Sequence, residues 1–184
     1  MRRQQMMKTI PSQRFEETKM QHPFDELSLN PGTSATAGLI FTPCPGTKGV
    51  DLRESLQQLK DAGAKALITL TPDEEMAQLQ VRDLPTLCQE LDLLWFFCPI
   101  ADDHAPGYDF AKGWQQASPM VQHLLRSGQK VAIHCKGGSG RTGLVAAKIL
   151  LEAGFDKIDV KQRVQALRPY ALTLQPHLDW FNAQ

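Results

Sequence analysis

Along the chain, short apolar runs alternate with stretches whose apolar residues return every three or four positions, the two patterns that separate strands from helices. Gly38-Leu-Ile-Phe-Thr42 is a continuous apolar run closed by Pro43-Cys44-Pro45-Gly46, which predicts a strand and a turn. Between Asp51 and Ala62, Leu52, Leu56 and Leu59 fall at helical spacing, with Asp51 placed to cap the helix and Gly63 to stop it. The run 66–71 predicts a second buried strand. Pro72-Asp73-Glu74-Glu75 then opens a helix, with proline at its first position and acids in its first turn. Pro85 separates that helix from another over 85–91. A third strand is expected over 93–98, ended by Pro99. From Phe110 to Leu125 the apolar residues suit a helix that Pro119 should kink or break. Val131 to His134 predicts a fourth strand, and further helices are expected over 142–153, 157–168 and 174–183. Strands alternating with helices imply an α/β fold in a single domain, with a central, mostly parallel sheet of about four to five strands flanked by helices. Chemistry then belongs outside the carboxyl ends of the strands.

Residues 1–20 are polar and basic without a clear period, and are expected to form a flexible N-terminal arm, with a basic docking tail as the alternative. Residues 21–37, rich in Pro, Gly, Ser and Thr, read as an irregular lead-in to a domain over 21–184. A chain of 184 residues suits one domain with a real core. Its 20 basic and 20 acidic residues cancel, which argues against nucleic acid or an anionic membrane as a partner. No run approaches the ~18 apolar residues a membrane span needs. The opening Met1–Lys8 is basic but lacks an apolar core, so it does not read as a secretory signal. The expectation is a soluble, cytoplasmic monomer. Cys44, Cys88, Cys98 and Cys135 show no paired metal spacing, and His104, His123 and His177 have no partners at ligand spacing, so neither metal nor cofactor is expected.

The chemistry concentrates in Lys130-Val-Ala-Ile-His134-Cys135-Lys136-Gly137-Gly138-Ser139-Gly140-Arg141-Thr142-Gly143. An apolar run leads to a cysteine, a loop of small residues follows, and an apolar helix pattern begins after an arginine. Glycines let successive backbone N–H groups turn inward as a nest for an oxyanion, and a helix N-terminus adds partial positive charge. Arg141 can grip two oxygens with its planar fork. Cys135 lies at the floor of this loop, where the same positive groups favour a thiolate. A thiolate ~4 Å from a phosphate dianion is repelled by roughly 8 kcal/mol at an effective dielectric of ~20, so one arginine alone would not suffice. The competing readings are a nucleotide-binding P-loop and a structural cysteine at a strand end. The first lacks its lysine and its first glycine; the second leaves His134 and Arg141 without a role.

Phosphoryl transfer to a cysteine also needs an acid for the leaving oxygen. Pro99-Ile100-Ala101-Asp102-Asp103-His104 follows the third strand, whose end lies beside the cysteine loop, and supplies two candidates, Asp102 and Asp103.

The run His134-Cys135-x-x-Gly138-x-x-Arg141-Thr142-Gly143 resembles the signature loop of the cysteine-dependent protein tyrosine and dual-specificity phosphatases at every fixed position. The stretch from about Gly38 to Gly143, with Cys44-Pro45-Gly46 and the Pro-Ile-Ala run, is similar to the kinase-associated phosphatases of the cyclin-dependent kinase inhibitor 3 family. The signature loop itself is equally like mitotic-exit and lipid-phosphate phosphatases. The resemblance implies a protein tyrosine phosphatase-like fold and a phosphoprotein substrate, with a protein kinase as a candidate partner. It makes Cys135 the nucleophile, Arg141 the phosphoryl ligand and Asp102 the general acid, with Asp103 as the fallback. Thr142 would aid thiolate release and His134 would orient the loop. The backbone of Lys136, Gly137, Gly138, Ser139, Gly140 and Arg141 would line the cradle. Gln175 is a counterpart of the glutamine that positions water in many relatives. Lys136 favours an acidic phosphopeptide or a phosphoinositide. Ser139 stands where lipid phosphatases carry a second lysine, so a phosphoprotein is preferred. The expected reaction is hydrolysis of phosphotyrosine, extending to phosphoserine and phosphothreonine. The alternatives are a kinase-docking module with the same fold, a phosphoinositide phosphatase, or another oxyanion enzyme such as an arsenate reductase. Cys44 and Cys98 are candidates to protect Cys135 as a disulfide.

Overall fold

A computed structural model of the chain describes residues 20–30, 32 and 36–184. The arm expected over 1–20 lies, up to residue 19, outside the described residues. Five strands and seven helices follow in the order β1 (Asp25–Ser28), β2 (Gly38–Thr42), α1 (Leu52–Asp61), β3 (Ala64–Thr69), α2 (Asp73–Gln78), α3 (Leu84–Glu90), β4 (Leu94–Phe97), α4 (Tyr108–Arg126), β5 (Lys130–His134), α5 (Gly140–Glu152), α6 (Lys157–Leu167) and α7 (Gln175–Asn182). The sheet order is β1-β2-β5-β3-β4. Every neighbouring pair is parallel except β1 with β2.

The period of two along the strands divides the core into two layers. Leu39, Phe41, Val131, Ile133, Ala66 and Ile68 face the layer covered by α4, α5 and α6. Ile40, Ala132 and Leu67 point the other way, against Leu56 and Leu59 of α1 and Leu84 and Cys88 of α3. Each large apolar side chain so buried contributes roughly 1.5–3 kcal/mol. Cys135 continues the Val131-Ile133 alternation and enters the first layer. This carries the cysteine to the carboxyl edge of the sheet, beneath the start of α5.

Three expectations are corrected. The lead-in over 21–37 is not wholly irregular: Asp25–Ser28 pairs antiparallel with β2, Leu27 opposite Leu39. Its single inward leucine among polar neighbours gave too short an alternation to read, and pairing with a buried strand supplies what local pattern lacks. The acids Asp25 and Glu26 also suit an edge strand that must not pair further. Pro119 does not break α4, which runs unbroken from Tyr108 to Arg126. The proline and Gln115, whose carbonyl loses its donor, are both exposed, so water can serve that carbonyl. Finally, α5 begins at Gly140, which puts Arg141 inside the first helical turn.

Candidate active site

The loop between β5 and α5 wraps around the Cys135 sulfur. Cys135 is 3% exposed, and its Sγ accepts hydrogen bonds from the Gly138 backbone N–H at 3.2 Å and the Thr142 hydroxyl at 3.3 Å. Gly138 has φ +73°, and a β-carbon there would lie 2.5 Å from the Thr42 carbonyl carbon and the Pro43 nitrogen, so only glycine fits. Arg168 donates to the Gly138 carbonyl at 2.8 Å, and the Cys44 N–H donates to the Lys136 carbonyl at 3.1 Å. Ser139, at the cap position of α5, makes no side-chain cap, which leaves the first-turn N–H donors free of a capping side chain.

Behind the loop, a buried chain of hydrogen bonds fixes His134. The Trp95 indole N–H donates to the Thr69 hydroxyl at 2.8 Å, and that hydroxyl meets His134 Nε2 at 2.8 Å. His134 Nδ1 lies 3.3 Å from the Cys135 carbonyl. The indole only donates and the carbonyl only accepts, so the threonine donates to Nε2 and the proton sits on Nδ1. Burial pushes the imidazole down to about 4, against the backbone bond that raises it, with Arg141 lowering it further. The ring is therefore neutral near pH 7 and orients the cysteine's backbone.

Arg141 is 3% exposed and held from three sides. Glu75, on α2, accepts from Nη1 at 2.7 Å and from Nη2 at 2.8 Å. The Ile100 carbonyl accepts from Nη1 at 3.0 Å, and Asp102 lies 3.2 Å from Nη2. Burial opposes the charge, but the Glu75 bonds and the nearby Cys135 and Asp102 outweigh it and hold the guanidinium above its usual range. Counting its five N–H donors shows what remains. Both Nη1 hydrogens and one on Nη2 are committed, while Nε–H and the outer Nη2–H make no hydrogen bond to a described residue and leave a side fork, with the Asp102 carboxylate beside it as an ion pair.

These groups line a cavity of about 480 Å³ that contains Cys135, Arg141, Lys136, Gly137, Ser139 and Gly140, together with both Asp102 and Asp103. Asp102 has a two-thirds exposed side chain, and Asp103 sits at φ +58°, in the left-handed region. A larger hollow of about 760 Å³ runs along edge strand β4 and is lined by neither Cys135 nor Arg141. Among the described residues no cluster of three or more His, Cys, Asp or Glu could hold a metal. No described helix is long and apolar enough to cross a membrane.

A family model described as polymorphic toxin system, DSP-PTPase phosphatase, matches residues 46–155. The chain belongs to the DSP-PTPase phosphatase family. Its members are phosphoric monoester hydrolases. The chain is similar to cyclin-dependent kinase inhibitor 3 of Rattus norvegicus, 31% identical over 128 residues that make up 67% of this chain and 58% of that protein. The Homo sapiens protein of the same name is 32% identical over the same shares. The chain thus spans less than two thirds of the length of these relatives. In fold it is similar to kinase associated phosphatase with its catalytic-site cysteine replaced by serine. That match has a TM-score of 0.75 at 22% identity and covers 89% of this chain and 93% of the other. Tk-PTP in its active form gives a TM-score of 0.63 at 22% identity, covering 79% of this chain and 89% of that one.

Within this phosphatase family's loop, the structure brings together every residue the sequence singled out around Cys135, and both candidate acids. It does not bring in Gln175. That residue opens α7 but turns its amide onto Asp179 at 2.6 Å, and it is not among the cavity's lining residues. His177, two positions on, lines the cavity instead. Its Nε2 lies 2.9 Å from the His104 carbonyl, which makes it the donor to the acid loop. Burial lowers its pKa, partly offset by that bond and by Asp103. Sequence reading gives His177 no role beyond its lack of partners at ligand spacing, and it misses Glu75, Lys48, Arg168 and the Trp95-Thr69 relay as well. Glu75 showed only as a first-turn acid; nothing local told that its partner lay 66 residues ahead. The other three cysteines are held as thiols, each pushed up to about 12 by burial, with Glu75 and Cys135 adding to the effect at Cys44.

Proposed function

We propose that the chain hydrolyses phosphotyrosine in proteins, and phosphoserine and phosphothreonine as well, through a phosphocysteine intermediate. The observation that carries this reading is Cys135 at the floor of a cavity whose wall presents the side fork of Arg141, with a carboxyl group 3.2 Å from that fork. The phosphoryl group binds with its oxygens on Arg141 and on the N–H groups of residues 136–141. It displaces Asp102 from Nη2 and leaves the carboxyl facing the ester oxygen. The Cys135 thiolate attacks phosphorus and the P–O ester bond breaks, with Asp102 donating its proton to the departing oxygen. In the second step Asp102, now a carboxylate, takes a proton from the attacking water. The S–P bond breaks and inorganic phosphate leaves. The Thr142 hydroxyl, 3.3 Å from Sγ, stabilises the thiolate as it re-forms. Because Glu75 binds the end of Arg141 in advance, the fork needs little reorganisation as charge builds on the phosphoryl oxygens.

Asp102 takes the acid role over Asp103 because it is the one beside Arg141. The relatives' names, cyclin-dependent kinase inhibitor 3 and kinase associated phosphatase, support a protein kinase as partner or substrate. A required thiolate suits a reducing, cytoplasmic setting. The test is hydrolysis of an aryl phosphate with excess chelator. Turnover should vanish in Cys135→Ser and fall roughly 10²–10⁴-fold in Asp102→Ala, with a smaller effect in Asp103→Ala. Turnover that survives Cys135→Ser, or that requires a divalent metal, sinks the reading.

A further inference from the structure

The strand order puts β5 between β2 and β3, with β4 beyond β3. The loop after β2 and the loop after β4 therefore flank the cysteine loop on opposite sides, and they bring opposite charge. Lys48, from the β2 loop, and Lys136, at the start of the cysteine loop, line one side of the cavity; Asp102 and Asp103, from the β4 loop, line the other. Both lysines are exposed, and neither ammonium group makes a hydrogen bond or ion pair with a described residue. The nearby arginines are otherwise engaged: the fork that Glu75 leaves on Arg141 serves the phosphoryl group itself, and Arg168 pairs with Asp25 at 2.7 Å. The positive charge left for a ligand thus stands on one side of the mouth only.

Past Lys48 the cavity continues. A second hollow of about 470 Å³ shares Lys48, Gly137 and Ser139 with the catalytic cavity and adds Phe24 and the mutually neutralising pair Asp25 and Arg168 to its walls, so Lys48 is its unpaired charge among the described residues. A substrate seated on Cys135 has room to extend over Lys48 into this hollow. A ring bearing phosphates all round would meet Asp103 on the opposite wall. An extended peptide, by contrast, can present an anion on one side and a neutral or basic residue on the other.

We propose that Lys48 and Lys136 form a second anion subsite, which selects phosphopeptides carrying an acidic side chain or a second phosphorylated residue on one side of the residue being dephosphorylated. This rests on the phosphatase reaction proposed above. An exposed charge pair changes affinity by roughly two- to fivefold, so two lysines together give a preference of about tenfold at low salt. The preference should decay toward one at 1 M salt, where the screening length falls to about 3 Å.

The experiment compares kcat/KM for phosphotyrosine peptides identical except for Glu, Gln or Lys beside the phosphotyrosine, with the substitution placed before it in one set and after it in the other. The wild type should favour Glu over Gln about tenfold in one set only, through KM. In Lys48→Glu the order should reverse, with the Lys peptide best, and in Lys48→Gln the ratio should move toward one. A wild-type ratio near one in both sets, or a ratio that Lys48→Glu leaves as it was, overturns the subsite. Faster turnover of phosphatidylinositol monophosphate in phosphatidylcholine vesicles than of the Glu peptide overturns the peptide assignment. A wild type inert toward aryl phosphate and every peptide defeats the phosphatase reading itself, an outcome distinct from turnover without selectivity.

Discussion

The two loops that meet at Arg141 are held in different ways. The cysteine loop is buried and tied at close intervals: Gly138 against the end of β2, its carbonyl on Arg168, Lys136 on the Cys44 N–H, and His134 on the Thr69-Trp95 relay. The acid loop is held more lightly: its root is fixed where Ile100 is buried and bonds to Leu70 and Arg141, and beyond it Asp102 meets Arg141 at 3.2 Å through an exposed carboxylate. Beyond that root, Asp102 and Asp103 stand in solvent; His104 closes a turn onto Ala101 and Asp102, and among the described residues the bond from His177 ties that turn to the rest of the domain. A nucleophile and its phosphate cradle must be in place before substrate arrives, because the transition state depends on fixed donors. An acid that must let a substrate in and then switch to base can be held more lightly. Arg141 and His177 reach it from α5 and α7, so its alignment depends on elements more than 30 residues away in sequence.

Breaking the rigid side should cost most. Gly138→Ala forces a β-carbon to within 2.5 Å of the backbone at Thr42 and Pro43, and the loop must move. A displacement of this order should lower kcat/KM by roughly 100-fold, measurable on an aryl phosphate, with the melting temperature lowered as well. A rate within a few-fold of wild type would show that the cradle tolerates movement. Next comes the junction. Glu75→Gln removes the carboxylate that binds both Nη groups of Arg141, and the loss of charge-assisted bonds should lower kcat/KM roughly tenfold or more. Phosphate inhibition measured alongside should weaken in parallel.

The lightly held side should respond less, and selectively. His177→Leu removes one neutral hydrogen bond to the acid loop, a change of about two- to tenfold in rate. The drop should be largest for phenyl phosphate, whose leaving group needs a proton, and smaller for a nitrophenyl ester. His177→Gln, which keeps an amide donor, should restore much of the difference. An equal drop with both substrates would mean that His177 supports the fold rather than the acid.

The comparison also extends to pH. Burial holds His134 at about 4, against an ordinary value of 6.5, and His22 likewise at about 4. A histidine with a lowered folded-state pKa is fully stabilising above 6.5 and loses that contribution as pH falls from 6.5 toward 4, because the unfolded chain takes up the proton first. For His134 this amounts to about 3 kcal/mol. Denaturant midpoints should therefore fall steeply across that window. A flat profile would contradict the buried, neutral ring.

The same division explains what was legible in the sequence. The cysteine loop could be read because its geometry is local: glycines, a preceding strand and a following helix lie within a dozen residues. Strands β2 to β5 and most helices were readable for the same reason, since each carries its own pattern. Strand β1 was not, because one inward leucine makes no pattern without its partner. Pro119 misled because a helix interior tolerates proline where the freed carbonyl is wet. Glu75, Lys48, Arg168 and His177 are ordinary polar residues in their own segments. Only the parallel crossovers, which return each strand's end to one edge, bring them to Cys135. Gln175 shows the converse, a residue of the right type whose side chain bonds along its own helix.

The central claim is that Cys135 carries the phosphoryl group between two steps. The most direct test is to mix enzyme with an aryl phosphate, quench with acid within one turnover, and locate phosphate on the protein by mass spectrometry, using the wild type and Asp102→Ala. One phosphoryl group on the Cys135 peptide, accumulating when the second step is slowed, is the predicted result. Turnover without phosphate on Cys135, or with phosphate on another residue, would contradict the account.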